Sequence, residues 1–189
     1  MCEQVRICGL VLAAGAGTRY GLPKGLARAA DGTPWVRLAT EMLRDAGCDE
    51  VVVLVGARGE EVRLLVDERA RVVDVHNWAD GLSATIRGGL QAAAGFDVAV
   101  ITPVDTPEAA AAAVRRVISE LGSQPRSALV QAMYARTPGH PVAVGCEHFE
   151  PLARALTADS GARAYLAAHA ATGVDCADLW SGSDIDTRP

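Results

Sequence analysis

Two stretches of this sequence hold residues whose types and spacing could do chemistry on a charged ligand. The first is Leu10-Val-Leu-Ala-Ala-Gly-Ala-Gly-Thr-Arg-Tyr-Gly-Leu-Pro-Lys24, where Gly15, Gly17 and Gly21 are interleaved with Thr18, Arg19 and Lys24. Glycines let backbone N–H groups approach an anion without interference from a Cβ. A guanidinium forks onto phosphate oxygens, and an ammonium adds a compact point charge. Such a loop suits a polyphosphate. It matches neither common phosphate fingerprint. Gly15-Ala-Gly17 is followed by Tyr20 rather than the third glycine of G-x-G-x-x-G, and no Gly-Lys-Ser/Thr closes a P-loop.

The second stretch is Asp97-Val-Ala-Val-Ile-Thr-Pro-Val-Asp105-Thr-Pro107, an apolar run with one carboxylate just past its end. In open α/β sheets, ligands collect in the crevice outside the carboxyl ends of the strands. Thr106-Pro107-Glu108 also reads as an N-cap, a first-turn proline and an acidic first turn. Position alone therefore leaves Asp105 two roles, shaping the turn or holding a cation. No Ser/His/Asp constellation is visible.

The elements that must position these residues follow from the hydrophobic pattern. Ile7 to Ala14 is an apolar run fit for a strand buried on both faces. Thr33 as N-cap and Pro34 as first helical residue open a helix through Trp35, Leu38, Met42 and Leu43, which Gly47 ends. Glu50 to Gly56 and Arg71 to Val75 read as strands around a helix from Arg58 to Arg69 with Val62, Leu65 and Val66 inward. Gly81 breaks the chain before a helix that Ser83 or Asp80 can cap. After the Asp97–Asp105 strand come a helix from Pro107 to Leu121 and strands at Ser127–Tyr134 and His140–Val144. Helices at 147–156 and 159–169 and a strand at 173–179 complete the series. The alternation predicts a mainly parallel sheet with helices on both faces.

The 189 residues are read as one domain spanning 1–189, long enough for a sizeable core. Half are hydrophobic, yet no apolar run approaches the ~18 residues of a membrane span, and no signal peptide is apparent. A net charge of −5 argues against a general nucleic-acid binder, so an anionic ligand needs a local basic site. Cys2, Cys8, Cys48, Cys146 and Cys176 show no C-x-x-C spacing, as expected of reduced thiols in a cytoplasmic protein.

The loop string L-A-A-G-A-G-T-R-Y-G-L-P-K resembles the L-A-A-G-x-G/S-x-R-M-G-x-x-K signature of MobA/MocA-like nucleotidyltransferases of molybdenum-cofactor maturation. The resemblance implies a Rossmann-like α/β/α fold with a mostly parallel mixed sheet. It also implies that Leu12, Ala13, Ala14, Gly15, Gly17 and Thr18 hold the triphosphate of an NTP while Arg19 and Lys24 neutralise it. Tyr20 stands where methionine is usual, which reads as a packing change. P-V-D-T-P resembles the family's D-x-P motif, whose aspartate holds Mg²⁺, and so assigns Asp105 to metal. The segment from His76 to Leu90 resembles N-x-x-W-x-x-G-M/L-x-x-S-L-x-x-G-L and carries a nucleotide-binding role to Gly81, Ser83 and Thr85. For His76 and Trp78 packing remains the simpler role.

P-G-H-P-V resembles R-G-H-P-V/I at the acceptor side of the family's cleft, which points to Gly139 and His140. Asp159-Ser-Gly-Ala-Arg163 resembles G-D-x-G-A-R beside the acceptor pocket, which points to Arg163 as a contact for an acceptor phosphate or else a plain exposed arginine. The ending Ser183-Asp-Ile-Asp-Thr-Arg-Pro189 resembles D-I-D-T-P-E-D-L, making Asp184 and Asp186 candidates for the second metal ligand, although its proline comes one residue late. The implied activity is Mg²⁺-dependent transfer of a nucleotidyl group to a small phosphorylated acceptor, molybdopterin foremost, with release of pyrophosphate. L-A-A-G rather than L-A-G-G favours CTP over GTP. A molybdoenzyme or chaperone partner is compatible with that role; nucleic acid and membrane are not expected. Two alternatives stay open: an NAD(P)H-dependent enzyme of the nicotine blue oxidoreductase type on the same fold, and a nucleotide-binding homologue without catalysis.

Overall fold

Strand β1 (Ile7–Ala13) is buried at every residue, and the rest of the sheet is laid down on both its edges. The computed structural model describes residues 4–187, so Cys2 lies outside them. On one side β2 (Glu50–Val55) pairs parallel, Leu10 opposite Val52, and β3 (Arg71–Asp74) extends beyond it. On the other side β4 (Val98–Pro103) pairs parallel, Leu10 opposite Ile101. Next to it β6 (Thr137–Gly145) runs antiparallel to both β4 and β5 (Leu129–Tyr134), and β7 (Thr172–Asp175) is parallel to β5. The order is β3-β2-β1-β4-β6-β5-β7. Among the described residues, six strands point one way and β6 the other.

Alternation along β1 builds the layers. Ile7, Val11 and Ala13 face a core shared with α1 (Trp35–Asp45), α2 (Gly59–Arg63) and α4 (Ala111–Ser119). Cys8, Leu10 and Leu12 face the opposite core, shared with α3 (Leu82–Ala92), α5 (Phe149–Ala155) and α6 (Arg163–Ala168). Each Val or Leu buried in these cores contributes about 1.5–3 kcal/mol. The result is the expected three-layer α/β/α domain. Among the described residues no helix is long and apolar enough to cross a membrane. Cys8, Cys48, Cys146 and Cys176 are free thiols, and burial pushes those of Cys8 and Cys48 up to about 12.

The structure corrects several element bounds, and local hydrogen bonds explain them. The helix expected from Arg58 to Arg69 is only five residues long, and Leu64 is 84% exposed. Asp67 accepts the Arg69 backbone N–H at 2.9 Å, a side-chain turn that competes with helix propagation. The helix expected from Pro107 starts at Ala111 instead. Thr106 does not cap it, because its hydroxyl donates back to the Pro103 carbonyl. Thr33 is likewise not a cap: Pro34 occupies that position, and the Thr33 N–H is held by Asp31. Neither Ser83 nor Asp80 caps α3; Gly81 occupies the cap, the Ser83 N–H donates to the Ala158 carbonyl, and Asp80 accepts from Asn77. The last strand ends at Asp175, and β6 begins three residues before His140 because Ala135 and Arg136 turn the hairpin with φ of +46° and +70°.

Candidate active site

The loop after β1 is shaped by its glycines. Gly17 has φ +62°, and a Cβ there would strike the Leu22 carbonyl, so only glycine fits. The Gly21 N–H closes the loop on the Gly17 carbonyl at 2.8 Å. Tyr20 is buried, its ring 5.3 Å from that of Trp35 on α1, which pins the loop to the helix layer. A short helical turn, Lys24–Leu26, then returns Lys24 to the carboxyl edge of the sheet.

Asp105 arrives at the same edge, two residues past β4. The Lys24 ammonium donates to Asp105 at 2.7 Å and to Asp186 at 2.9 Å, and Arg19 pairs with Asp186 at 3.0 Å. The side chains of Lys24 and Asp105 are only 14% and 18% exposed. Burial alone would depress the Lys24 pKa, but hydrogen bonds and charge from Asp105 and Asp186 outweigh it and hold the pKa above its ordinary value. Lys24 in turn holds the Asp186 carboxyl below the usual range.

Asp105, Asp184 and Asp186 present carboxylate oxygens that all lie within 4.8 Å of one another. With Lys24 and Arg19 beside them, the group keeps one negative charge in excess. The Asp105 Oδ1 atom is buried and has no hydrogen-bond partner. An orphaned, hard oxygen donor within a carboxylate cluster fits a divalent cation of the Mg²⁺ or Mn²⁺ kind. The residues present could hold one.

Because β6 runs against its neighbours, its first residues reach this same edge and form the opposite wall. Gly139 lies so close to the Tyr134 ring that a Cβ would collide with it. The Tyr134 hydroxyl donates to the His140 carbonyl at 2.8 Å. Burial pushes the His140 imidazole below its ordinary pKa, opposed by the charges of Asp105 and Asp184. Gly81, with φ +103°, ends a third wall, and a Cβ there would meet Asp159 and Ala158.

One cleft of about 940 Å³ connects these parts. It brings together Leu12, Ala13, Ala14, Gly15, Gly17, Thr18, Arg19 and Lys24 from the first loop with Gly81 and Thr85 from the start of α3. Asp105, Gly139, His140, Arg163, Asp184 and Asp186 complete its lining from the other elements. Ser83 is not part of this lining: it is buried, with its hydroxyl 3.3 Å from the Arg87 guanidinium. Trp78 does line the cleft and also packs on Gly56, where a Cβ would collide with it. Asp159 lines it too, from the segment expected beside the acceptor pocket, as do Gln131 and Trp180, which were unforeseen from sequence. For Gln131 a signal existed, a polar residue inside the apolar strand Leu-Val-Gln-Ala-Met.

Residues 9–173 match the MobA-like NTP transferase domain family. The chain is 30% identical over 190 residues to the nicotine blue oxidoreductase of Paenarthrobacter nicotinovorans, covering 96% of this chain and 92% of that one. The crystal structure of Rv0371c from Mycobacterium tuberculosis H37Rv superposes with a TM-score of 0.82 at 28% identity, over 98% of this chain and 94% of its own. A structure of Rv0371c in complex with manganese superposes at 0.72 and 26% identity, over 90% and 87% of the two chains. The fold is also shared with a nucleotidyl transferase from Methanothermobacter thermautotroptrophicus, at a TM-score of 0.80 and 22% identity over 96% and 92% of the two chains. With the family match spanning both β1 and the sheet's far edge, the chain belongs to the MobA-like NTP transferase family.

Proposed function

We propose that this protein transfers a nucleotidyl group from an NTP, CTP in preference to GTP, to a phosphorylated acceptor of the molybdopterin kind, releasing pyrophosphate. One observation carries the reading: the cationic loop and the carboxylates of two distant segments meet at one point, through Lys24, Asp105 and Asp186. In the transfer, an acceptor oxygen forms a bond to the α-phosphorus as the bond to the bridging oxygen of the pyrophosphate breaks. The first loop binds the triphosphate through its open backbone, and Arg19 and Lys24 offset charge moving toward the leaving group. Asp105, Asp184 and Asp186 would hold Mg²⁺, which would supply positive charge against the phosphates and the charge that develops in the transition state. Manganese, present in the Rv0371c complex, suits the same donors. The β6 wall, with Gly139 and His140, and Arg163 at the start of α6 orient the acceptor.

The relative from Paenarthrobacter nicotinovorans is a nicotine blue oxidoreductase, which keeps a second reading in view: the NAD(P)H-dependent reduction named as an alternative above. The loop offers no G-x-G-x-x-G for a dinucleotide, and its pairing with a carboxylate cluster answers a metal–triphosphate rather than a nicotinamide. A panel of the four NTPs with Mg²⁺, read by thermal shift and then by pyrophosphate release with a molybdopterin acceptor, decides between them. CTP is expected to raise the melting temperature most and to yield pyrophosphate. Oxidation of NAD(P)H with no pyrophosphate from any NTP would refute the transfer reading. Binding of an NTP without turnover on any acceptor would leave a non-catalytic homologue.

A further inference from the structure

The C-terminal segment supplies two of the three clustered carboxylates, yet among the described residues it contains no helix or strand after β7. Its register must come from elsewhere. Trp180 donates its indole N–H to the Tyr134 hydroxyl at 2.5 Å, and the two rings meet edge to face with centroids 5.2 Å apart. Gly182 has φ +75° and lies so tightly on the Tyr134 ring that a Cβ would run into it. Beyond it, the Ile185 N–H donates to the Asp105 carbonyl at 3.0 Å. The strap is thus clamped on Tyr134 at one end and on the backbone of Asp105 at the other. Asp184 and Asp186 lie on either side of that second clamp.

We infer that Tyr134 is a positioning residue for the metal–triphosphate site: it seats the C-terminal strap so that Asp184 and Asp186 reach Asp105. The inference rests on the reading of those carboxylates given above. Tyr134 sits at the last position of β5, immediately before the hairpin that starts β6, so one side chain ties the strap to the acceptor wall. Its hydroxyl receives the Trp180 N–H and passes a hydrogen bond to the His140 carbonyl. Burial pushes that hydroxyl up to about 12, so it stays protonated and keeps donating throughout the physiological range. Chains of hydrogen bonds of this kind fix side-chain direction more firmly than isolated pairs. Without the clamp, the segment keeps the Ile185 N–H bond to Asp105 and the ion pairs of Asp186 with Lys24 and Arg19, which leave the approach through Trp180 and Gly182 unfixed, and a chelate depends on preorganised donors.

The test is a Mn²⁺ titration of the whole chain, followed by electron paramagnetic resonance, beside thermal shift with CTP in the absence of metal. Three variants are compared with the wild type: Tyr134→Phe, Gly182→Ala and Asp105→Asn. Tyr134→Phe keeps the ring and removes the hydroxyl; Gly182→Ala pushes the strap off the ring. Both are expected to weaken Mn²⁺ roughly 10–20-fold, at the lower end of the scale of lost outer-shell partners, while metal-free CTP binding changes less than about 2-fold. A merely structural role would lower both together. Wild-type Mn²⁺ affinity in both variants, with Asp105→Asn impaired, overturns the inference and leaves the metal reading standing. Wild-type affinity in Asp105→Asn overturns the metal reading itself and this inference with it. Should Tyr134→Phe fail to fold, Trp180→Phe removes the Trp180–Tyr134 hydrogen bond from the strap's side and is read by the same criteria.

Discussion

Asp97 and Asp105 stand just outside the two ends of β4, and they are built in opposite ways. At the amino end, Asp97 accepts the Arg6 backbone N–H at 3.0 Å with one oxygen and the Arg126 guanidinium at 2.5 Å with the other. Beside it, Asp49 performs the same service for the Ile7 N–H at 2.7 Å. Of the three carboxylate oxygens named there, two take backbone N–H groups at the start of β1 and the third takes an arginine, so each has a partner. At the carboxyl end, Asp105 uses one oxygen on Lys24 and leaves the other buried and unpartnered, facing two more carboxylates. Folding partners every one of these oxygens at the first edge and leaves a buried one without a hydrogen bond at the second. On the function proposed above, the same residue type stabilises at one end of the strand and holds a cation at the other.

Substitution by the isosteric amide breaks this contrast most sharply. Asp105→Asn is expected to lower pyrophosphate release by roughly 10²–10³-fold, the scale of losing one preorganised electrostatic contact. Its melting temperature should stay within a few degrees of the wild type, because the carboxylate cluster is already in excess over its cations. Retained turnover with a collapsed melting temperature would make Asp105 a structural residue like Asp97.

Asp97→Asn is expected to behave the other way round, with turnover unchanged and a stability loss of about 1–2 kcal/mol from two disturbed hydrogen bonds. The pH sharpens this. The Arg6 N–H, and then Arg126, hold the Asp97 carboxyl below its ordinary value of 3.8. A depressed carboxylate contributes stability that is present above 3.8 and is lost as the pH falls through the lower folded value. Urea unfolding should therefore show the gap between wild type and Asp97→Asn widest near neutrality and narrowing below 3.8. A gap that is constant across that range would remove the charge from the explanation.

Much of the carboxyl edge was legible in sequence because its parts are local. An apolar run breaking into Gly15 and Gly17 announces a strand and a loop within ten residues, and Asp105 announces itself as the lone charge after an apolar run. The order of alternating elements likewise specifies the layers. What sequence could not show is what depends on a distant partner. Asp67 and Thr106 stop or delay helices through side chains that pair with nearby backbone, against the apolar periodicity. Ser83 looks like a cap and lies buried beside Arg87, because the Ala158 carbonyl takes its N–H from a loop 75 residues later in the chain. The clamp of Trp180 on Tyr134 joins residues 46 apart that have no shared pattern. The reversal of β6, which delivers Gly139 and His140 to the cleft, follows from a two-residue turn at Ala135 and Arg136 with no glycine to mark it.

The central claim is that the first loop and the carboxylates grip one triphosphate from two sides. A crystal structure with a non-hydrolysable CTP analogue and Mg²⁺ tests it most directly. The account predicts the ion bound to the Asp105 carboxylate at about 2.0–2.1 Å, with the triphosphate lying between it and the loop of Arg19 and Lys24. A triphosphate bound away from Asp105, with Lys24 still paired to Asp105 and Asp186, would contradict it.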